Sequence, residues 1–327
     1  MAVVALLSNP HSTGNKSLLP LVRSYCARSQ DVFHYEVEEI DQISRALEMI
    51  ARVKPKVLVV NGGDGTVQTA LTELYHGGHF DGNPPPVAVL PNGKTNLIAL
   101  DLGVQGDPLT ALSNIVEIAK GDVSQHVVTR ELIALSDGQE GSRPVLGMFL
   151  GGAGLAETIL YCRHKIYPLG LPNGVSHMLA AIAVLFSGLL GIRANFLPKR
   201  SNPVRISLLR NGEIKGIFSV LIVTTLEKLL LAGQVENGPS GKDQTGRLKF
   251  MAIDQKPGAL IKAGIASIRG RLGRNVTSGI HFERGDTLRI DGGKSSVVLD
   301  GEVFEADNDR PIILTSTPPV PFLKIAG

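Results

Sequence analysis

From Val57 to Thr66 the chain reads Val57-Leu58-Val59-Val60-Asn61-Gly62-Gly63-Asp64-Gly65-Thr66. Four aliphatic residues in a row, none charged, predict a strand buried on both faces, as in parallel sheets. Beyond the glycines, Val67, Ala70, Leu71 and Leu74 recur at i, i+3, i+4 and i+7, the period of a helix with one buried face, for which Thr66 is the expected N-cap. A buried strand that turns through glycines into a helix commits this part of the chain to an α/β sheet. The same turn suits an anion. N–H groups are unpaired at a helix start, and glycine lets the backbone approach phosphate oxygens because no Cβ intervenes. Asp64 adds a carboxylate where a Mg²⁺-bound nucleotide needs one. The spacing is neither that of a Walker A loop nor that of the dinucleotide fingerprint. A glycine-rich turn with no ligand is the alternative.

Residues 1–128 alternate in the same way. Strand patterns at Val3–Leu7, Val32–Val37, Val57–Val60 and Val87–Leu90 are separated by helical patterns at Ser17–Arg28, Ile43–Val53 and after Thr66, and Thr110–Lys120 follows. This predicts a doubly wound parallel sheet with helices on both faces, where ligands sit beyond the carboxyl ends of the strands. Asn9, the glycine loop and Pro91–Asn96 all fall there. From about Val128 the texture changes to short strand-like runs, Glu131–Leu135, Pro144–Phe149, Val204–Leu209, Ile217–Thr224, Leu248–Ile253, Thr287–Ile290 and Val297–Leu299. Turn signals such as Asp137-Gly138 and Asn211-Gly212 separate them. The expected fold class is therefore α/β, with a β-rich, mostly antiparallel, sandwich-like second domain. The expected division is 1–128, 129–310, and a tail 311–327 that returns to the first domain.

The chain has 327 residues, 43% of them hydrophobic, enough for two buried cores. A net charge of +3 argues no nucleic-acid partner but suits anionic phosphates or a lipid surface. Two isolated cysteines, Cys26 and Cys162, fit a reducing cytoplasm, and Met1–Leu7 reads as a first strand rather than a leader. From Val175 to Ile192 no residue is charged. Large apolar side chains, Leu185 and Phe186 among them, recur there at helical spacing, with mostly small residues opposite. That one-sided stripe predicts a helix that packs on a core or lines a lipid cleft rather than one that spans a bilayer. Lys262, Arg269, Arg271 and Arg274 read as a solvated basic face.

Two further turns carry chemistry. Leu90-Pro91-Asn92-Gly93-Lys94-Thr95-Asn96 again takes a strand through glycine into a helix, with Lys94 as a cation for phosphate and Asn96 as an N-cap if the turn is only structural. Asp300-Gly301-Glu302 ends a β run, either as a hairpin turn or as a pair of acids for general-base work.

Taken together, Val59–Thr66, then Pro91-x-Gly93-x-x-Asn96, then Asp300-Gly301-Glu302, with Asn9-Pro10-x-x-x-Gly14 after the first strand, resemble the diacylglycerol kinase catalytic family. That family includes bacterial soluble lipid kinases with sphingosine and ceramide kinases. The resemblance implies ATP-dependent transfer of the γ-phosphoryl group to a lipid hydroxyl, with Mg²⁺, in a cleft between the two domains. Asn9, Gly62, Gly63, Asp64, Gly65, Thr66, Gly93, Lys94, Thr95 and Asn96 would hold the nucleotide, and Asp64 its metal. Glu302 matches the general base and Asp300 would orient the site. Leu185 and Phe186 would meet the lipid. The partners implied are a lipid substrate and the inner face of a membrane, on which a cytoplasmic enzyme docks peripherally; a homodimer is left open. Departures are local. Lys94 replaces a threonine, Gln68-Thr69 replaces Asn-Glu, and no nucleotide-contacting threonine stands between Tyr35 and Ile40. A structural-metal segment becomes Thr245-Gly246-Arg247-Leu248, with Asp243 nearby as the remaining ligand candidate. The rival readings are an NAD kinase-like enzyme on a soluble nucleotide and a non-catalytic lipid or nucleotide sensor.

Overall fold

The computed structural model describes residues 2–93, 96–104, 106–139, 141–161, 204–208, 212–229, 233–234, 247–268, 278–292, 295–306 and 310–325. Two compact units divide the chain. One gathers Met1–Leu132, Val145–Gly147 and Pro318–Gly327; the other holds Ile133–Pro144 and Met148–Thr317.

In chain order the first part runs β1 (Val4–Ser8), α1 (Asn15–Arg28), β2 (Val32–Glu36), α2 (Ile43–Val53), β3 (Val57–Asn61), α3 (Asp64–His76), β4 (Val87–Val89), α4 (Leu97–Asp101), α5 (Pro108–Lys120) and β5 (Val127–Arg130). Then come β6 (Ile133–Ser136), β7 (Val145–Gly147), β8 (Phe149–Gly152), α6 (Gly154–Tyr161), β9 (Val204–Leu208), β10 (Gly212–Gly216), β11 (Phe218–Thr224), β12 (Lys228–Leu229), β13 (Gly233–Gln234) and β14 (Leu248–Asp254). The chain ends with α7 (Pro257–Ile268), β15 (Ile280–Gly285), β16 (Thr287–Gly292), β17 (Ser295–Leu299), β18 (Glu302–Ala306), β19 (Ile312–Ser316) and β20 (Val320–Leu323).

The first unit is built on one sheet of order β2-β1-β3-β4-β20-β5. Among the described residues its strands pair in parallel except β20 with β5. All five residues of β1 and all five of β3 are buried, as expected of strands covered on both faces. The helix α2 takes the bounds its periodicity predicts, because Ile43, Ala46, Leu47 and Ile50 form one fully buried face. Each of the three larger side chains, Ile43, Leu47 and Ile50, contributes roughly 1.5–3 kcal/mol relative to exposure. The beginning of α5 is fixed by Asp107, whose carboxylate accepts from the Thr110 N–H at 2.8 Å, and by Pro108 in the first turn. Phe322 of β20, fully buried, pairs with Val87 of β4, so the last strand completes the core of the first sheet.

The second unit is dominated by two antiparallel sheets. One runs β10-β9-β16-β19-β6 and the other β15-β14-β11-β8-β17-β18. Beside the second of these, α7 buries Ala259, Leu260 and Ala263 in a cluster with Ile222, Met251, Ile253 and Ile280. Among the described residues no helix is long and apolar enough to cross a membrane. The stretch Val175–Ile192, with Leu185 and Phe186, lies outside the described residues, as do Lys94, Thr95, Asp243 and the arginines at 269, 271 and 274.

Candidate active site

The chain leaves β1 for β2 on one side, while β3 lies on the other side of β1 and β4 beyond it. The point between β1 and β3, where the winding reverses, is where open α/β sheets take ligands beyond their carboxyl ends. Three loops meet there: residues 9–14 after β1, Gly62-Gly63 after β3, and Leu90–Gly93 with Asn96 after β4.

The β3 turn differs from expectation at its helix. The first turn of α3 begins at Asp64, with Gly63 as N-cap in extended conformation (φ −80°, ψ 176°), so Thr66 is not the cap. Thr66 is inside the first turn and buried, and its hydroxyl accepts from Asn9 Nδ2 at 2.9 Å. A Cβ on Gly62 would come within 2.6 Å of the Thr66 Cβ, which is why this position is glycine. On Gly63 a Cβ would meet nothing nearer than Ser12 Oγ at 3.9 Å, so this edge of the cradle is open. The Gly63 N–H donates to that Ser12 hydroxyl at 2.9 Å. Gly65 carries the loop into the helix, its carbonyl accepting from Thr69 Oγ1.

The β4 loop closes against the same turn. A Cβ on Gly93 would lie 3.3 Å from Asp64 Oδ1 and 3.2 Å from Asn96 Oδ1. Asn96 occupies the N-cap position of α4 with φ +52°, yet its side chain accepts from Gly93 N–H at 2.7 Å rather than capping the helix. The structure therefore brings together Asn9, Gly62, Gly63, Asp64, Gly65, Thr66, Gly93 and Asn96. Sequence reasoning missed Ser8, Ser12, Asn15, Asn61 as a side chain, and Asn92. No spacing rule flags them, since serine and asparagine beside strand ends read as ordinary turn formers.

At the back of this cluster His34 Nε2 lies 2.9 Å from Ser8 Oγ, and Asn61 Nδ2 donates to the same hydroxyl at 3.0 Å. Burial lowers the His34 pKa below its ordinary value, against the attraction of Glu36. Glu36 itself is held below the usual carboxylate range, first by hydrogen bonds from Arg23, which approaches at 2.6 and 2.7 Å. Burial pushes the nearby Cys26 thiol up to about 11.

In the second unit, Asp300-Gly301 is the two-residue connection between β17 and β18, with Leu299 paired to Glu302. Both central residues have positive φ, +43° and +92°, as a type I′ hairpin turn demands. Asp300 is buried. Its Oδ2 accepts from Met148 N–H at 2.7 Å, its Oδ1 from Phe149 N–H at 3.0 Å, and its own N–H donates to Phe149 O at 2.9 Å. The carboxylate thus fastens the turn to the start of β8, while Glu302 stands half-buried as the first residue of β18.

Residues 3–126, which contain all three loops of the first unit, match the family Diacylglycerol kinase catalytic domain. Over residues 3–126 the chain is similar to that family. Kinases of that family are lipid kinases and use ATP. The whole chain also resembles solved structures from Bacillus anthracis str. Sterne. One, named as a "putative diacylglycerol kinase", is 18% identical with a TM-score of 0.63 and covers 96% of this chain and 93% of its own. Another, named as a diacylglycerol kinase, is 17% identical with a TM-score of 0.58 over 95% and 93%. At such identities the likeness concerns the fold. No curated protein matches the sequence.

For Mg²⁺, a donor within residues 3–126 is the Asp64 carboxylate at the edge of the open cradle. A hard oxygen donor that leaves room for phosphate oxygens and water suits this ion, which is usually held by one or two carboxylates plus phosphates.

Proposed function

We propose that this chain is an ATP-dependent lipid kinase that transfers the γ-phosphoryl group to the hydroxyl of a diacylglycerol or of a sphingoid- or ceramide-type lipid. The observation that carries the reading is the convergence of Asn9, Gly62–Thr66, Gly93 and Asn96 at the winding reversal of a region similar to the diacylglycerol kinase catalytic domain family. Backbone N–H groups at the start of α3 would donate to phosphate oxygens, and the glycines would let those oxygens approach. Asp64 would hold Mg²⁺, which when bound neutralises charge on the transferring group. Glu302 would take the proton of the lipid hydroxyl as its oxygen bonds to the γ-phosphorus and the bond to ADP breaks. Asp300 would act on Glu302 indirectly, by fixing the turn that precedes it. The protein's contribution is positioning and electrostatic complementarity, as is general for phosphoryl transfer. The enzyme would work docked on a membrane surface.

The test is incubation of the protein with labelled ATP, Mg²⁺ and a panel of diacylglycerol, sphingosine, ceramide and NAD. Label in a lipid product supports the reading. Label in NAD would make the chain an NAD kinase-like enzyme, and ATP bound without transfer to any acceptor would make it a sensor.

A further inference from the structure

The backbone ladder between the first unit's central strands ends early. Past the bonds from Leu90 N–H to Val60 O and from Asn9 N–H to Asn61 O, both 3.0 Å, side chains take over the tying of the three loops. Asn15, Asn61 and Asn92 are 1%, 0% and 3% exposed; Asn15 opens α1, Asn61 ends β3 and Asn92 lies in the loop after β4. Asn15 Nδ2 donates to the carbonyls of Asn9 at 2.8 Å and Asn61 at 3.1 Å. Asn92 Nδ2 donates to Asn15 Oδ1 at 3.0 Å and also to Asn61 Oδ1. Asn61 Nδ2 in turn donates to Ser8 Oγ. An amide nitrogen has two protons, so those of Asn15 and Asn92 are fully used. A buried polar network with its donors satisfied fixes one arrangement, because any shift strands a group away from water.

Three loops are thereby locked at one mutual distance by groups that themselves need not touch a ligand. We propose that Asn15, Asn61 and Asn92 are positioning residues that set the spacing of the three phosphate-facing loops and so set the affinity for a Mg²⁺-nucleotide. This rests on the kinase reading for the identity of the ligand. Asn92→Asp is nearly isosteric but has no proton to donate, and turns a carboxylate toward the oxygens of Asn15 and Asn61. Gly14→Ala reaches the same network without removing a polar group. Gly14 has φ −71°, which alanine adopts freely, but the new Cβ would lie 2.8 Å from Asn92 Oδ1 and 2.9 Å from Asn92 O, which displaces Asn92.

The experiment measures MgATP binding by calorimetry for the wild type and both variants, beside steady-state transfer to the best lipid acceptor. The expected result is MgATP binding at least tenfold weaker in either folded variant, with KM for ATP raised and KM for the lipid unchanged. A purely structural role would reduce the active fraction, lowering kcat with both KM values and the calorimetric affinity unaltered, and that outcome overturns the proposal. Wild-type binding of MgATP without transfer to any lipid would sink the kinase reading alone, since the binding arm still decides the asparagines. No MgATP binding by the wild type would overturn both. Should Asn92→Asp fail to fold, Gly14→Ala decides.

Discussion

Replacing Asp300 separates a fastening role from a chemical one. Its two carboxylate oxygens accept the N–H groups of Met148 and Phe149 in a buried setting. The carbonyl of Met148 is already engaged by Thr224 Oγ1 at 2.8 Å and by Thr225 N–H at 3.1 Å, so this segment has little freedom to turn toward another acceptor. Asp300→Asn changes one acceptor oxygen into an amide donor and strands one buried N–H, at a cost of about 1–3 kcal/mol. Asparagine tolerates the positive φ of this position, so no backbone strain is added. Asp300→Ala strands both N–H groups, about 2–6 kcal/mol, and adds about 1 kcal/mol for a left-handed alanine. The chain has no tryptophan, so urea unfolding is followed by far-ultraviolet circular dichroism. The expected order of stability is wild type, then Asn, then Ala. An Ala variant within about 0.5 kcal/mol of wild type, the range of an inert surface change, would refute the fastening role.

Two other outcomes follow from the same geometry. Gly301 has φ +92° between the paired strands, so Gly301→Val should destabilise the second unit measurably in the same unfolding assay, whereas a valine tolerated there would contradict the I′ turn. His34 has its pKa lowered by burial, so the folded state favours the neutral ring. Its contribution is present above the unfolded value near 6.5 and is lost as pH falls through the lower folded value. His34→Gln should therefore flatten the fall in melting temperature as pH drops from about 6.5 toward the folded value, and an unchanged slope would contradict a neutral, partly buried His34.

Much of the fold was legible because burial on both faces and helical periodicity leave strong marks. The runs Val57–Asn61 and Ile43–Val53 are unambiguous, since one carries no charge and the other places every buried residue on one face. Less visible elements carry weaker patterns. β18 begins with Glu302 and has no buried residue over 302–305, so no alternation of buried apolar residues announces it. α7 was diluted by Gly258 and Gly264, and its buried face is made of two alanines and one leucine. The helix starts three residues earlier than expected because Thr66 looks like a cap, while its hydroxyl is in fact engaged by Asn9 from another loop. The asparagine network was illegible for the same reason. Asn15, Asn61 and Asn92 lie 46 and 31 residues apart in sequence, and only the parallel strand order brings them together. The Asp-Gly-Glu segment was open between turn and acid pair. The geometry gives Asp300-Gly301 to the turn and leaves Glu302 on the strand that follows.

Glu302 is the proposed base in ATP-dependent lipid phosphorylation. The most direct test measures label transfer from ATP to lipid by the wild type and by Glu302→Gln, with a thermal melt of each. A lipid hydroxyl is a poor nucleophile at neutral pH, and a positioned base contributes on the order of 10²–10⁴-fold. The account predicts labelled lipid from the wild type and a loss of that order in Glu302→Gln, with the melting temperature and MgATP binding unchanged. Near-wild-type transfer by Glu302→Gln, or no labelled lipid from the wild type, would contradict it.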